Sequence, residues 1–410
     1  MNRVRPLLAL LAACAVSSLH AESPADPVWR FGGFGTFGAG YHRSEGVQYR
    51  RDLEQESGYT GRKLGFRGDT RFGLQANARF DPRWSAMVQT VSRLRADGSW
   101  QPDLTWAFVR HSPADWLEVR VGRLGVDIYQ NGDSRHVGYA YTTARPSIEL
   151  YGLLTQDRFD GMDATVRRTV GTGVASFKLY GGGTRGDFNL YGAEFRTDNT
   201  RTLGATLEWA SDALTLRAAW GDMYARDDES LQALAVALRQ VPASVSPQAA
   251  LRADRIDSAH RVNFAGVGAL YEHGAFSLDA IAGWERFTGF PGFEGWAASV
   301  VAAFRVGRWK PYAGYGRIVF SPDDKPLSLP ALNSGLVELQ AAYDRVTDRL
   351  RMDQYTLTAG LRYDLAANHA LKFQLDHTRA AASAMLVDLN GLPIRERSVT
   401  LYTLVLDFVF

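Results

Sequence analysis

The sequence predicts an all-β protein: a transmembrane, antiparallel, up-and-down β-barrel of about 16 strands, with short turns at one end and long loops at the other. Three observations carry this expectation. Many segments alternate apolar and polar residues with a period of two, which is strand periodicity. Aromatic residues make up 12% and glycines number 40, yet mean hydropathy is only −0.20, as a greasy outer face paired with a polar inner one would average. Short and long polar links also alternate along the chain.

Taken in order, the chain opens MNRVRPLLALLAACAVSSLHAES. Arg3 and Arg5 precede a short apolar run, Pro6 to Val16, and Leu19-His20-Ala21 offers a small-residue cleavage site. This reads as a secretory signal peptide over 1–21, too short to span a bilayer, with the barrel occupying 22–410. Cleavage after Ala21 removes the single cysteine, Cys14, and with it disulfide, thiol and Cys-ligated metal chemistry. Losing Arg3 and Arg5 leaves 44 basic against 44 acidic residues, so there is no basic footprint for nucleic acid. No later stretch approaches about 18 uninterrupted apolar residues.

The strands follow. In TRFGLQANARF, Phe72, Leu74, Ala76, Ala78 and Phe80 share one face; Arg71, Gln75 and Arg79 share the other. Leu203, Ala205, Leu207 and Trp209 form a similar row, as do Leu214, Leu216, Ala218 and Trp220. Tyr355 to Tyr363 and Leu371 to Leu375 repeat the pattern. The chain finishes on LYTLVLDFVF, where Tyr402, Leu404, Leu406, Phe408 and Phe410 form one row against Thr403, Val405 and Asp407. Aromatics often close these rows, as expected of amphipathic rings at the two membrane–water boundaries. A free, greasy terminal strand would be an aggregation-prone edge unless a barrel closes over it.

Short links fall near 81–83, 112–115, 171–173, 211–212, 273–274, 307–308 and 366–368. Long links fall near 43–62, 96–102, 125–154, 183–200, 227–258, 289–294, 321–351 and 380–396, with NLYGAEF (189–195) readable as strand or loop. Two long links show helical spacing: Leu231, Leu234, Ala235 and Leu238 in 227–258, and Leu336, Leu339, Tyr343, Val346 and Leu350 in 321–351. They read as short helices packed on the loop rim, or as a lid.

At this point the chain resembles the general porins of Gram-negative outer membranes. RFGGFGTFGAGYH resembles their Gly-rich first strand, VRVGRLG (119–125) their fifth strand running into the third loop, and LVLDFVF their C-terminal signature. The resemblance implies a water-filled channel for small hydrophilic solutes, without cofactor or metal, in a homotrimer embedded in a bilayer with lipopolysaccharide. It implies that the row Tyr402, Leu404, Leu406, Phe408, Phe410 is read by the barrel-assembly machinery. It also implies an inward constriction loop, about 126–155, carrying Asp127, Tyr129, Asp133, Tyr139 and Glu149. Across from it stands a basic wall: Arg67, Arg71, Arg79, Arg93 and Arg120. Opposed fixed charges across a narrow pore create a transverse field that sorts solutes. The alternative for these arginines is pairing with lumen acids such as Asp69 and Glu118. Arg135 and Arg145 also lie in the loop and complicate an acidic reading.

Other signals are weaker. Gly33, Gly35 and Gly38 match G-x-G-x-x-G, but within an aromatic-rich strand and without the following helix of a dinucleotide site. There they ease bending or leave lumen space. Asp157, Asp160 and Asp163, and Asp323 with Asp324, suggest solvated loop acids or a divalent-ion contact. A solute-selective channel for dicarboxylates or sugars is the second functional reading. A barrel enzyme would need a Ser/His pair near the membrane surface, and nothing in the sequence pairs them.

Overall fold

A computed structural model describes residues 28–153, 157–190, 193–225, 229–256, 260–288, 292–322, 327–347, 351–392 and 394–410. The expected leader and its cleavage site lie outside the described residues.

The strands are β1 (Trp29–His42), β2 (Arg71–Arg79), β3 (Trp84–Arg93), β4 (Asp103–Ala114), β5 (Leu117–Gly125), β6 (Arg158–Val170), β7 (Gly173–Leu190) and β8 (Ala193–Ala210). Then come β9 (Leu214–Ala225), β10 (His260–His273), β11 (Phe276–Thr288), β12 (Phe293–Phe304), β13 (Trp309–Pro322), β14 (Met352–Ala366), β15 (His369–Ala382) and β16 (Arg397–Val409). These sixteen form one closed antiparallel barrel in sequence order, with β16 pairing β1. Closure leaves no free edge, which is what a lipid environment requires of a sheet.

The alternation has its expected sense. Leu203, Leu207, Leu216, Trp220, Leu357, Phe373 and Leu404 are exposed on the outside, while Thr202, Thr206, Thr356, Gln374, Asp376 and Thr403 are buried inside. Apolar rows face outward because the solvent there is hydrocarbon. The barrel seam explains the glycines of β1. Gly35 lies opposite Phe408 in the outer row, and a Cβ on Gly35 would stand 2.3 Å from the Phe408 ring. A Cβ on Gly33 would meet the Phe410 ring at 2.6 Å, and Gly33 and Phe410 exchange backbone hydrogen bonds of 2.9 and 3.0 Å. These outer glycines are seats for the terminal aromatics rather than lumen space. Gly38 and Gly40, on the inner row, do make internal room, for Asp69 and Tyr59.

Two expectations are corrected. The link 183–200 is largely strand: β7 and β8 run on as a hairpin, pairing Gly186 with Thr197 and Thr184 with Thr200 across a register shift. Its Gly, Asp and Asn content reads as loop, but cross-strand pairing overrides weak propensity. The lumen is also not uniformly polar. Toward the long-loop end the inner rows carry Phe159, Phe264, Phe293, Ile318, Phe320, Met352, Val399 and Leu401, all buried. Three long links fold in to cover them, through their described residues 43–70, 126–153 and 383–392. Val47, Tyr49, Leu53, Ile128, Tyr129, Leu150, Met385 and Leu386 join those wall residues in one apolar core. Residues 48–49, 59–60 and 386–387 pair as a small separate sheet within it.

Helices α1 (Ile148–Tyr151), α2 (Glu229–Arg239), α3 (Pro247–Ile256) and α4 (Ser334–Thr347) lie in the long links. Leu231, Leu234, Ala235, Leu238, Ala249, Ala253, Ile256, Tyr343 and Val346 bury one another in a second core, so α2, α3 and α4 pack together. Leu350 lies outside the described residues.

Candidate functional site

The site is the lumen and the loop residues 126–153 that enter it. β5 stops at Gly125, where Val126 N–H donates to the Asp157 carbonyl at 2.9 Å, and the chain turns inward. Ion pairs and hydrogen bonds fasten it to both sides of the barrel. Asp127 accepts from Lys178 on β7 and Arg217 on β9. Tyr129 packs edge-on to Phe264 of β10, centroids 5.0 Å apart, and against Tyr151 at 4.7 Å. The loop then reaches the opposite wall and descends to the short-turn rim. There Tyr139 Oη donates to the Ala367 carbonyl at 2.6 Å, and its ring lies under the Arg362 guanidinium, 4.7 Å away. Lys372 donates to the carbonyls of Gly138 (2.8 Å) and Thr143 (3.0 Å).

Arg145 is the central fastening. Its guanidinium is buried and bonds Asp69 (2.7 Å), Asp376 (2.5 Å) and Thr403 (2.5 Å), tying the loop to the chain before β2, to β15 and to β16. Glu149 is buried too, accepting from Gln354 (3.0 Å), Thr356 (2.5 Å) and Ser147 (2.8 Å). Burial raises its carboxyl above the ordinary range. Asp127 and Glu149 are therefore bonded to groups of wall or loop and do not face open water. The Asp133 side chain lies outside the described residues.

The five expected wall arginines do not form one cluster. Arg71 and Arg93 are direct cross-strand partners at the long-loop ends of β2 and β3. Both are buried, Arg71 to 3% exposure, beneath the chain around 50–55. Arg93 bonds Glu54 at 2.8 Å, and Arg135 from the loop shares that carboxylate at 3.4 Å. Arg71 has no partner for Nε or Nη2 among the described residues. Arg120 is lower on the wall, bonded through Nε and Nη2 to Asp163 at 3.0 and 2.5 Å. Arg79 closes β2 at the short-turn rim and is exposed. Arg67 is not on a strand: it is exposed in the link before β2, donating to the Gly98 carbonyl at 3.1 Å.

Of the suggested partner acids, Glu118 lies 3.6 Å from both Arg110 and Arg167, and Asp69 serves Arg145. Asp157, Asp160 and Asp163 are each engaged by a basic side chain, His136, Arg123 and Arg120 respectively. Asp323 and Asp324 lie outside the described residues. The outer row Tyr402, Leu404, Leu406, Phe408, Phe410 stands at the seam. Phe408 is tucked over Gly35 and stacks on Phe37 at 5.8 Å.

Sequence reasoning passed over Arg362, Lys372, Arg217 and Lys178, which hold the loop. Their inner-row position was readable by alternation, but their partners lie 51 to 234 positions away in sequence.

No protein-family model matches the sequence, and neither does any curated protein. Solved structures do match over nearly the whole length. The outer-membrane channel DcaP of Acinetobacter baumannii superposes with TM-score 0.58 at 12% identity, covering 95% of this chain and 99% of that one. The anion-selective porin of Comamonas acidovorans gives 0.55 at 15% identity, covering 93% and 99%. The outer-membrane protein OmpT of Vibrio cholerae gives 0.54 at 10% identity, covering 95% and 100%. The chain thus shares the fold of outer-membrane porins and channels: a closed barrel of sixteen strands.

Proposed function

We propose that this chain is an outer-membrane channel through which small hydrophilic solutes and ions diffuse passively. One observation carries the reading: below the packed loops, the inner rows of an outwardly apolar barrel present polar and charged side chains. Gln75, Asn77, Ser85, Arg110, Glu118, Ser176 and Asp279 are all only partly buried there. A polar lumen inside an apolar band is the arrangement of a water-filled pore. The mechanism has no chemical step. Flux follows the gradient and is filtered by width and fixed charge.

A solute-selective channel is the second reading, favoured by the three links that fold into the lumen and narrow it. Planar-bilayer recording distinguishes a pore from a closed barrel by discrete conductance steps. Liposome swelling with graded sugars and dicarboxylates then separates the two readings. Uptake falling smoothly with size supports the first, and saturable uptake of one class supports the second. Absence of steps from folded protein removes both.

The same proposal places the chain in the bacterial outer membrane, as a homotrimer in contact with lipopolysaccharide. The terminal aromatic row is then what the barrel-assembly machinery reads. An enzyme reading gains little. Ser398 Oγ lies 3.2 Å from His377 Nε2, a pair that nothing in the sequence signals, but His377 Nδ1 faces Thr400 Oγ1 at 2.8 Å. A hydroxyl in the third position supplies no charge to stabilise an imidazolium, unlike the carboxylate of a hydrolase triad.

A further inference from the structure

The inner rows of β10 and β11 hold three carboxylates and neither Lys nor Arg. Glu272 lies opposite Ser277, Asp279 opposite Leu270 and Val301, and Glu285 opposite Phe264 and Gly295, so all three point inward. Glu272 is exposed, and Asp279 and Glu285 are half-buried. None of the three has a hydrogen bond or ion pair among the described residues. Lys310 on β13 interacts electrostatically with Glu272 without bonding it.

A neighbouring part of the wall has the opposite character. In a ring of sixteen strands, β11 stands half a turn from β3. The arc β4 to β7, three to seven strands from β10 and β11, carries Arg110, Arg120, Arg167 and Lys178 on its inner rows against Asp103, Glu118 and Asp163, and Asp103 is paired with Arg158 at 2.6 Å. Arg110 and Arg167 share Glu118, which leaves that arc with surplus positive charge. Arg110, Arg120, Arg167 and Asp279 all lie three or four residues from a short turn, at about 10 Å along their strands. The described acids of the inward loop contribute little to this field, because Asp127 is neutralised by Lys178 and Arg217 and Glu149 is enclosed by hydrogen bonds.

We infer that the transverse field of this lumen runs from the arginine arc of β4–β7 to Glu272, Asp279 and Glu285 on β10–β11. These wall carboxylates, rather than the loop acids, set the charge preference. This rests on the channel reading. A fixed carboxylate beside a low-dielectric wall holds a local negative potential that a paired one does not. Cations, and the cationic ends of zwitterionic solutes, follow β10–β11, and anionic ends follow the arc.

The test is the reversal potential under a potassium chloride gradient, at low ionic strength where screening is weakest. The triple variant Glu272→Gln, Asp279→Asn, Glu285→Gln is expected to lower the potassium-to-chloride permeability ratio severalfold. Glu149→Gln is expected to move it less. An unchanged ratio in the triple variant, or a larger shift from Glu149→Gln, overturns the assignment while leaving the channel reading intact. Folded wild-type protein that passes no current overturns both. Heat-modifiable migration reports folding, and Asp279→Asn alone serves if the triple variant fails to fold.

Discussion

Single buried residues hold the loop in the lumen, and their energetics are those of desolvated charges. Arg145 is sealed between Asp69 and Asp376, so removing it leaves two buried carboxylates without their cation. Arg145→Ala is expected to cost about 3–5 kcal/mol, seen as an earlier thermal transition in detergent, and to add noise to single-channel current as the loop loosens. His136 gives a pH dependence. Burial pushes its imidazole down to about 3, and it sits 2.8 Å from Asp157. A depressed histidine contributes stability that is whole above its unfolded value near 6.5 and is lost as pH falls toward 3. Glu54 acts oppositely: burial pushes it up to about 7, so its contribution is lost as pH rises through that value. The informative quantity is therefore the difference between wild type and His136→Gln. Between pH 7 and 5 wild type should lose stability relative to the variant by up to about 1.4 kcal/mol per unit. Parallel curves from the two proteins would show that His136 does not titrate on unfolding.

Among elements, the β1–β16 seam depends on matching small residues to large ones. Gly35→Ala is expected to lower folding yield, because the new methyl overlaps the Phe408 ring and the seam cannot shift without breaking its ladder. Adding Phe408→Ala should restore part of the loss, a non-additivity that a double-mutant cycle in detergent refolding measures. If the second change only deepens the loss, the ring is not what the glycine accommodates. The helical links behave differently. α2, α3 and α4 bury apolar faces against one another, so their order comes from tertiary packing rather than propensity.

At the scale of the whole molecule, the outside is apolar and the inside divides into a packed half under the loops, where apolar and charged side chains are buried together, and a polar half near the short turns. Leu357 lies on the outer row near the middle of β14 and is exposed. Leu357→Arg is expected to cost about 2–4 kcal/mol in lipid, measured by denaturant unfolding in vesicles. A negligible cost would mean that this face is not in hydrocarbon.

The strand rows, their outward sense, the barrel class and the strand number were legible because a period of two is a local property and closure follows from so many amphipathic strands. The terminal row from Tyr402 to Phe410 was legible for the same reason. Its complement in Gly33 and Gly35 was not, since those residues lie at the other end of the chain and the seam alone joins them. The 183–200 hairpin was hidden because its strands are defined by each other rather than by composition. The site was legible in kind but not in its partners. Alternation placed Arg71, Arg93 and Arg120 inward, yet whether an inward charge faces water, a loop or a counter-ion depends on contacts from 39 to 234 residues apart. By itself the sequence determined which side chains face lipid and which face inward, because that follows from adjacent residues. Tertiary structure alone decided which inward charges are paired and which stay open, because electrostatic pairing depends on distance in space.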